Sequence, residues 1–320
     1  MIRTNIILLL WLPLIASAEY APATVDMALE QASERVYFVQ GAAGIATDNQ
    51  GFISNASAIV TSEGLVIVDA LGSPSLAERF LGLLRQVTDK PVIKVIVTHY
   101  HADHIYGLQV FKELGAEIIA PRGFQDYLDS PASSERLEER RISLYPWVDE
   151  GTRLVSPDRV ITESTTLVVG DTRLEIGYLG EAHSDGDLTV LVEPDRVLIS
   201  GDIIFEGRIP FTGSADTGHW LTALDGLEGQ VVKSLIPGHG PAASDPEEAV
   251  RATLRYLRYT REKMAEAVDE MTPFAEAYDA SDWSEFFDLP AFEATHRRNA
   301  YGIYLSLEQE SLNALREHNP

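Results

Sequence analysis

The sequence predicts an α/β fold, with two strand-rich halves compatible with two sheets packed face to face and a helical C-terminal extension. Three observations point there. Short apolar runs bounded by Gly, Asn and Asp recur through residues 36–69 and again through 166–200. Segments with apolar residues at helical spacing separate and follow these runs. From about Asp245 the pattern turns helical, then aromatic and acidic, through Trp283, Phe286, Phe287, Phe292, Tyr301 and Tyr304.

In chain order, Val36–Gln40, Ala58–Thr61 and Leu65–Asp69 read as strands. Ser73–Leu84 reads as a helix, with Leu76, Phe80 and Leu83 on one side and Ser73 or Ser75 as its cap. Val92–Val97 is the next strand, Leu108–Leu114 a short helix, and Gly123–Arg141 a polar helical stretch opened by Pro121. Strands return at Thr166–Val169, Arg173–Tyr178, Leu188–Val192 and Arg196–Ser200. Asp216–Leu227 and Pro246–Asp269 read as helices. Residues 19–244 are expected to form one domain and 245–320 a helical extension packed on it, since no Gly- or Ser-rich linker separates them.

The first eighteen residues read as a cleavable leader. Met1-Ile2-Arg3 starts it with a positive charge, Ile6–Ile15 is apolar apart from Pro13, and Ala16-Ser17-Ala18 offers a cleavage site before Glu19. The run is shorter than the roughly 18 residues a membrane span needs. The mature chain is therefore expected to be periplasmic or secreted, with no stable membrane insertion. There is no Cys, which excludes disulfides and thiolate chemistry. Lys and Arg number 25 against 49 Asp and Glu, a formal charge of −24. Such a surface repels phosphate backbones, so a nucleic-acid partner is not expected. Oligomeric state is not readable from the sequence.

The densest chemical signal is His99-Tyr100-His101-Ala102-Asp103-His104, directly after an apolar strand. Three imidazoles and a carboxylate in one strand-end loop can converge on a point, and such nitrogen and oxygen donors suit zinc. A solvated polar loop is the bland alternative. Three further positions argue against it: His183 in Gly180–Asp187, Asp202 in Ser200-Gly201-Asp202, and His239 in Pro237-Gly238-His239-Gly240. Each is expected just past a strand-like run and beside Gly, where the backbone can turn sharply.

This pattern of His-x-His-x-Asp-His, then His, then Asp, then His resembles the metallo-β-lactamase-fold hydrolase superfamily, over roughly Val36 to Pro241. The resemblance implies an αββα sandwich with two divalent metal ions at one edge of the paired sheets. Zinc is the expected metal, with iron or manganese as alternatives. Carried over residue by residue, His99, His101 and His183 hold the first ion, Asp103, His104 and His239 the second, and Asp202 bridges them. Asp69 matches a position where the family places a carboxylate behind the ligands, and Asp187 is a second orienting carboxylate. With no Cys ligand, the chain departs from the cysteine-bearing lactamases. It is nearer the glyoxalase II-like branch and the exported hydrolases associated with sulfur-oxidation and quinoprotein systems.

That ligand set implies hydrolysis of a small-molecule ester, thioester, lactone or β-lactam, since paired metals make hydroxide available near neutral pH and stabilise a developing oxyanion. Asp103 and Asp202 are the catalytic carboxylates in this reading. Arg208, six residues after Asp202, can hold a substrate carboxylate, and His219 can line the pocket. Surface or structural roles are the competing explanations for both. Two other functions fit the motif less fully: a mononuclear-iron oxygenase of sulfur chemistry, and a noncatalytic periplasmic accessory or binding protein that retains the site.

Overall fold

The computed structural model describes residues 20–318 except 194 and 214. The expected leader, residues 1–18, lies outside them. The first half runs through β1 (Leu29–Gln31), β2 (Val36–Val39), β3 (Ala56–Val60), β4 (Leu65–Val68), α1 (Pro74–Leu84), β5 (Val92–Ile96), α2 (Ala102–Ile105), α3 (Leu108–Glu113), β6 (Glu117–Pro121), α4 (Arg122–Leu128), α5 (Pro131–Ser143) and β7 (Arg159–Ile161). The second continues with β8 (Thr165–Val169), β9 (Thr172–Gly180), β10 (Asp187–Glu193), β11 (Val197–Phe205), α6 (Thr217–Asp225) and β12 (Ser234–His239). Three helices follow: α7 (Pro246–Asp269), α8 (Phe274–Ala280) and α9 (Phe292–His318).

Strands β1 to β7 form one sheet in sequence order, and the second sheet has the order β12-β11-β10-β9-β8. Apolar alternation explains how they stack. In β4, Val66 and Val68 join Val190, Val197, Ile199 and Ile236 of the second sheet in a shared core. Leu65 and Ile67, on the other face, pack into a cluster with Leu76 and Phe80 of α1. A strand covered on both faces reads as a continuous apolar run, and β4 and β11 are buried throughout. The outer face of the second sheet, through Leu198 and Leu235, belongs to one core with Leu254 and Leu257 of α7, Trp283 and Phe286 of the segment between α8 and α9, and Ile303 of α9. The layers are helix, sheet, sheet, helix, with α7, α8 and α9 on the second sheet. Burying each large apolar side chain in these cores contributes about 1.5–3 kcal/mol.

Ser73 is the cap of α1, its side chain accepting from Leu76 N at 3.2 Å. The polar stretch expected as one helix over 123–141 is two, because Ser130-Pro131 ends α4 and begins α5. The His-rich stretch is not wholly a loop: after His101 the chain turns into α2, which carries Asp103 and His104. Asp202 was expected past the end of its strand, yet β11 runs on to Phe205 and holds Asp202 inside it. The ladder to β12 slips on either side of Gly201, whose φ of 53° lies in the left-handed region. A Cβ at Gly201 would overlap the Thr98 side chain, so glycine is required there on both counts. Among the described residues, no helix is long and apolar enough to cross a membrane.

Candidate metal centre

The site lies where the C-terminal ends of β4, β5, β11 and β12 meet the turn between β9 and β10. His99 and His101 follow β5, and α2 presents Asp103 and His104. His183 sits in the β9–β10 turn, Asp202 in β11, and His239 is the last residue of β12. One ligand atom from each of His99, His101, His183 and Asp202 falls within a span of 4.8 Å, and Asp103, His104 and His239 form a second such group. Asp202 also reaches the second group. Its carboxylate oxygens stand 3.2 Å from Nε2 of His104 and of His239, 3.3 Å from Nε2 of His183 and 3.8 Å from Nε2 of His99.

The surrounding hydrogen bonds aim the rings. Asp69, held at a left-handed φ of 63°, accepts from Thr98 N at 2.7 Å and Thr98 Oγ1 at 2.8 Å, and pairs with His104 Nδ1 at 2.9 Å. Because Thr98 Oγ1 donates to Asp69, it accepts from His99 Nδ1 at 3.0 Å. His239 Nδ1 donates to the Ile53 carbonyl at 2.7 Å. These partners hold a proton on Nδ1 of three rings and turn Nε2 inward. Non-glycine residues at positive φ are rare and strained, and such strain concentrates where side-chain placement is demanding. Asp187 braces the His183 turn, accepting from Ser184 N at 2.8 Å and Ser184 Oγ at 3.0 Å. Burial pushes its carboxyl up to about 8, against the pull of the Ser184 hydrogen bonds.

Several buried nitrogen and oxygen atoms make no hydrogen bond within the chain: Nε2 of His99, Nε2 of His104 and Oδ1 of Asp202. Nε2 of His183 stands 2.9 Å from Nδ1 of His101, so in the metal-free chain one of these two nitrogens donates a hydrogen bond to the other. Burial keeps His99, His101 and His183 below the usual imidazole range, His183 at about 3, so these rings are neutral. Burial opposes ionisation of Asp103 and Asp202 as well. The charges of His104 and His239 outweigh it and hold both carboxyls below their usual range. His104 and His239 are conversely raised, because Asp202 and then the neighbouring carboxylates overcome burial. In the metal-free chain, protons on these two rings balance the buried anions. Divalent cations can replace those protons, and the donor set fits them.

A cavity of about 420 Å³ opens on this cluster, with His101, Asp103, Asp202 and His239 at its polar end and Phe205 and Phe211 among its apolar walls. Arg208 is among its lining residues and buried at 7% exposure, its Nε without a hydrogen-bond partner. His219 is elsewhere, exposed on α6 and absent from the cavity wall. Its backbone N–H is bound by the Asp216 cap at 2.9 Å. Thr98 and Asn55 escaped the sequence reading. Asn55 donates to the carbonyls of Pro237 at 2.8 Å and Gly240 at 2.9 Å, clamping the His239 turn from the other sheet. Thr98 was readable as the polar residue opening the motif, whereas nothing in the sequence pairs Asn55 with a turn some 180 residues on.

The sequence signature described as the metallo-beta-lactamase superfamily matches residues 49–239. A metallo-beta-lactamase type 2 of Bacillus sp. (strain 170) is 26% identical over 192 residues, covering 58% of this chain and 66% of that protein. A linear primary-alkylsulfatase of Pseudomonas sp. (strain ATCC 19151) is 26% identical over 245 residues, covering 66% of this chain and 45% of that protein. The chain thus spans just under two thirds of the first relative and less than half of the second. Among solved structures, the sec-alkylsulfatase Pisa1 from Pseudomonas sp. superposes with a TM-score of 0.69 at 17% identity, covering 87% of this chain and 50% of that one. At that identity the likeness speaks to the fold.

Proposed function

Since the chain belongs to the metallo-beta-lactamase superfamily, we propose that it is a metal-dependent hydrolase of a small ester, thioester, lactone or β-lactam, working with two divalent ions, most simply zinc. The observation that carries this reading is Asp202, whose carboxylate reaches imidazoles of both ligand groups at the polar end of an open cavity. His99, His101 and His183 would hold one ion, Asp103, His104 and His239 the other, with Asp202 between them. When bound, such ions acidify a water molecule and polarise the bond to be cut.

The chain's own residues supply the rest. Thr98, Asp69 and the Ile53 carbonyl fix the tautomers of His99, His104 and His239, so the ligands need little reorganisation. Asp187 holds the turn that carries His183. Asp103, with a side chain 20% exposed, is the less enclosed of the two carboxylates and can receive a proton from the cavity side. Arg208 presents a buried guanidinium that would orient an anionic group of the substrate. Phe205 and Phe211 exclude water from one side. The leader pattern at residues 1–18 supports export of the chain, with Glu19 as its first residue.

The test is a panel of acyl substrates, extended by an alkyl sulfate because of the alkylsulfatase relatives, run with elemental analysis of the same protein. The expected result is chelator-sensitive turnover of at least one acyl substrate at close to two ions per chain. Full activity at one ion, a single iron with oxygen-dependent turnover, or metal binding without any turnover would overturn it.

A further inference from the structure

The cavity's charge runs against that of the whole chain. Acidic residues outnumber basic ones 49 to 25 in the sequence, yet four arginines line this cavity against two carboxylates, Asp103 and Asp202. Both carboxylates belong to the candidate ligand set, so bound cations would more than cancel them. The guanidiniums also lie at graded depth. Arg208 is buried beside His239, Arg140 has a side chain 23% exposed, Arg136 is 55% exposed, and Arg298 is exposed.

The outer three come from helices peripheral to the paired sheets. Arg136 and Arg140 sit one turn apart on α5, and Arg298 on α9. Glu139 stands 3.3 Å from Arg136 and 3.6 Å from Arg140, so one carboxylate serves two guanidiniums. Arg298 lies over the Phe211 ring at 5.2 Å and forms no ion pair among the described residues. On a surface this rich in Asp and Glu, four guanidiniums gathered at one opening, two of them sharing the single carboxylate of Glu139, focus an attractive field for anions. A single anionic group beside the metals would engage Arg208 and leave the outer three without a role.

Resting on the hydrolase reading above, we propose that the cavity takes a doubly anionic substrate, with one anionic group at Arg208 and a second, carboxylate or sulfate, held at the mouth by Arg298 with Arg136 and Arg140. The outer arginines act as specificity-determining residues: they select the far end of the substrate and do not touch the scissile bond.

The test uses the metal-loaded full chain and equilibrium binding of three probes, glutarate, 4-(sulfooxy)butyrate and butyrate. At low salt the better dianion should bind about tenfold more tightly than the monoanion, the gap closing as salt rises. Which dianion wins tells the carboxylate source from the sulfate source. Arg298→Ala and the Arg136→Ala/Arg140→Ala pair should each cut that preference by at least about threefold, with metal content unchanged. Arg122→Ala, outside the cavity, should leave it in place. Equal binding of dianions and monoanion, or a preference untouched by the cavity variants, overturns the proposal. Because binding is read without turnover, the two readings fail separately. A dianion preference in a protein that cleaves no ester defeats only the hydrolase reading. Turnover with no dianion preference defeats only this one.

Discussion

At Asp202 one carboxylate faces ring nitrogens of His99, His104, His183 and His239, all within 3.8 Å, from inside a buried strand. Replacing it with Ala removes that shared anion but leaves the apolar packing of β11 intact. Loss of partners that merely orient metal ligands costs about 10–100-fold, so Asp202→Ala should lower turnover by at least about 100-fold. Its metal content should fall while its far-UV circular dichroism stays native. A variant that keeps two ions and near-normal turnover would refute the assigned role. Asp69 shows how far this economy extends: its single carboxylate organises Thr98 and His104 directly and His99 through Thr98.

Between β11 and β12 the site depends on backbone proximity. A Cβ on Gly238 would overlap Oδ1 of Asp202 and the Gly201 backbone. Gly238→Ala should therefore displace Asp202 and reduce both metal affinity and melting temperature, whereas Gly82→Ala, in open space on α1, should leave both near wild type. Either pair of measurements coming out alike would contradict this geometry. The C-terminal helices reach the cavity by a different route. Asn299 of α9 donates to Pro210 O at 2.6 Å and accepts from Thr212 N at 3.2 Å, bracketing Phe211. Asn299→Ala leaves those buried groups unpaired, each costing about 1–3 kcal/mol. The expected outcome is a raised KM with both ions retained. An unchanged KM would show that α9 covers the sheet without shaping the cavity.

For the molecule as a whole, acid sensitivity should have a source outside the metal cluster. His296 is buried between Trp283 and Phe292, with ring centroids 4.5 Å from each. Tyr256 OH accepts from Asn299 at 2.9 Å and shares a hydrogen bond of 3.0 Å with His296 Nδ1, in a pocket with no carboxylate among the described residues to stabilise a charged ring. Burial pushes His296 down to about 4. An unfolded His titrates near 6.5, so between those values the unfolded chain binds more protons. Stability from this residue is complete above about pH 6.5, declines as pH falls through that window, and is lost below about pH 4. Melting temperatures of metal-free protein across pH 4–7 should trace that decline, and His296→Phe should flatten it. An unaltered acid limb in the variant would place the sensitivity elsewhere.

The sequence by itself determined the fold class, the family likeness and the chemistry of the ligand positions. The reason is local: His99–His104 are six adjacent residues after an apolar strand, and His183, Asp202 and His239 each lie close to glycines and downstream of a strand-like run in the sequence. Strand periodicity likewise survives in short windows, which is why β4, β5 and β10 were legible. The tertiary structure decided what depends on contacts between distant segments. The extension of β11 past Gly201, the Asn55 clamp on the His239 turn and the exposure of His219 away from the cavity are of this kind. So is the convergence of Arg136, Arg140, Arg208 and Arg298 on one opening. An arginine on a polar helix looks the same in sequence whether it faces bulk water or a cavity. Only the packing of α5 and α9 around the two sheets distinguishes the two.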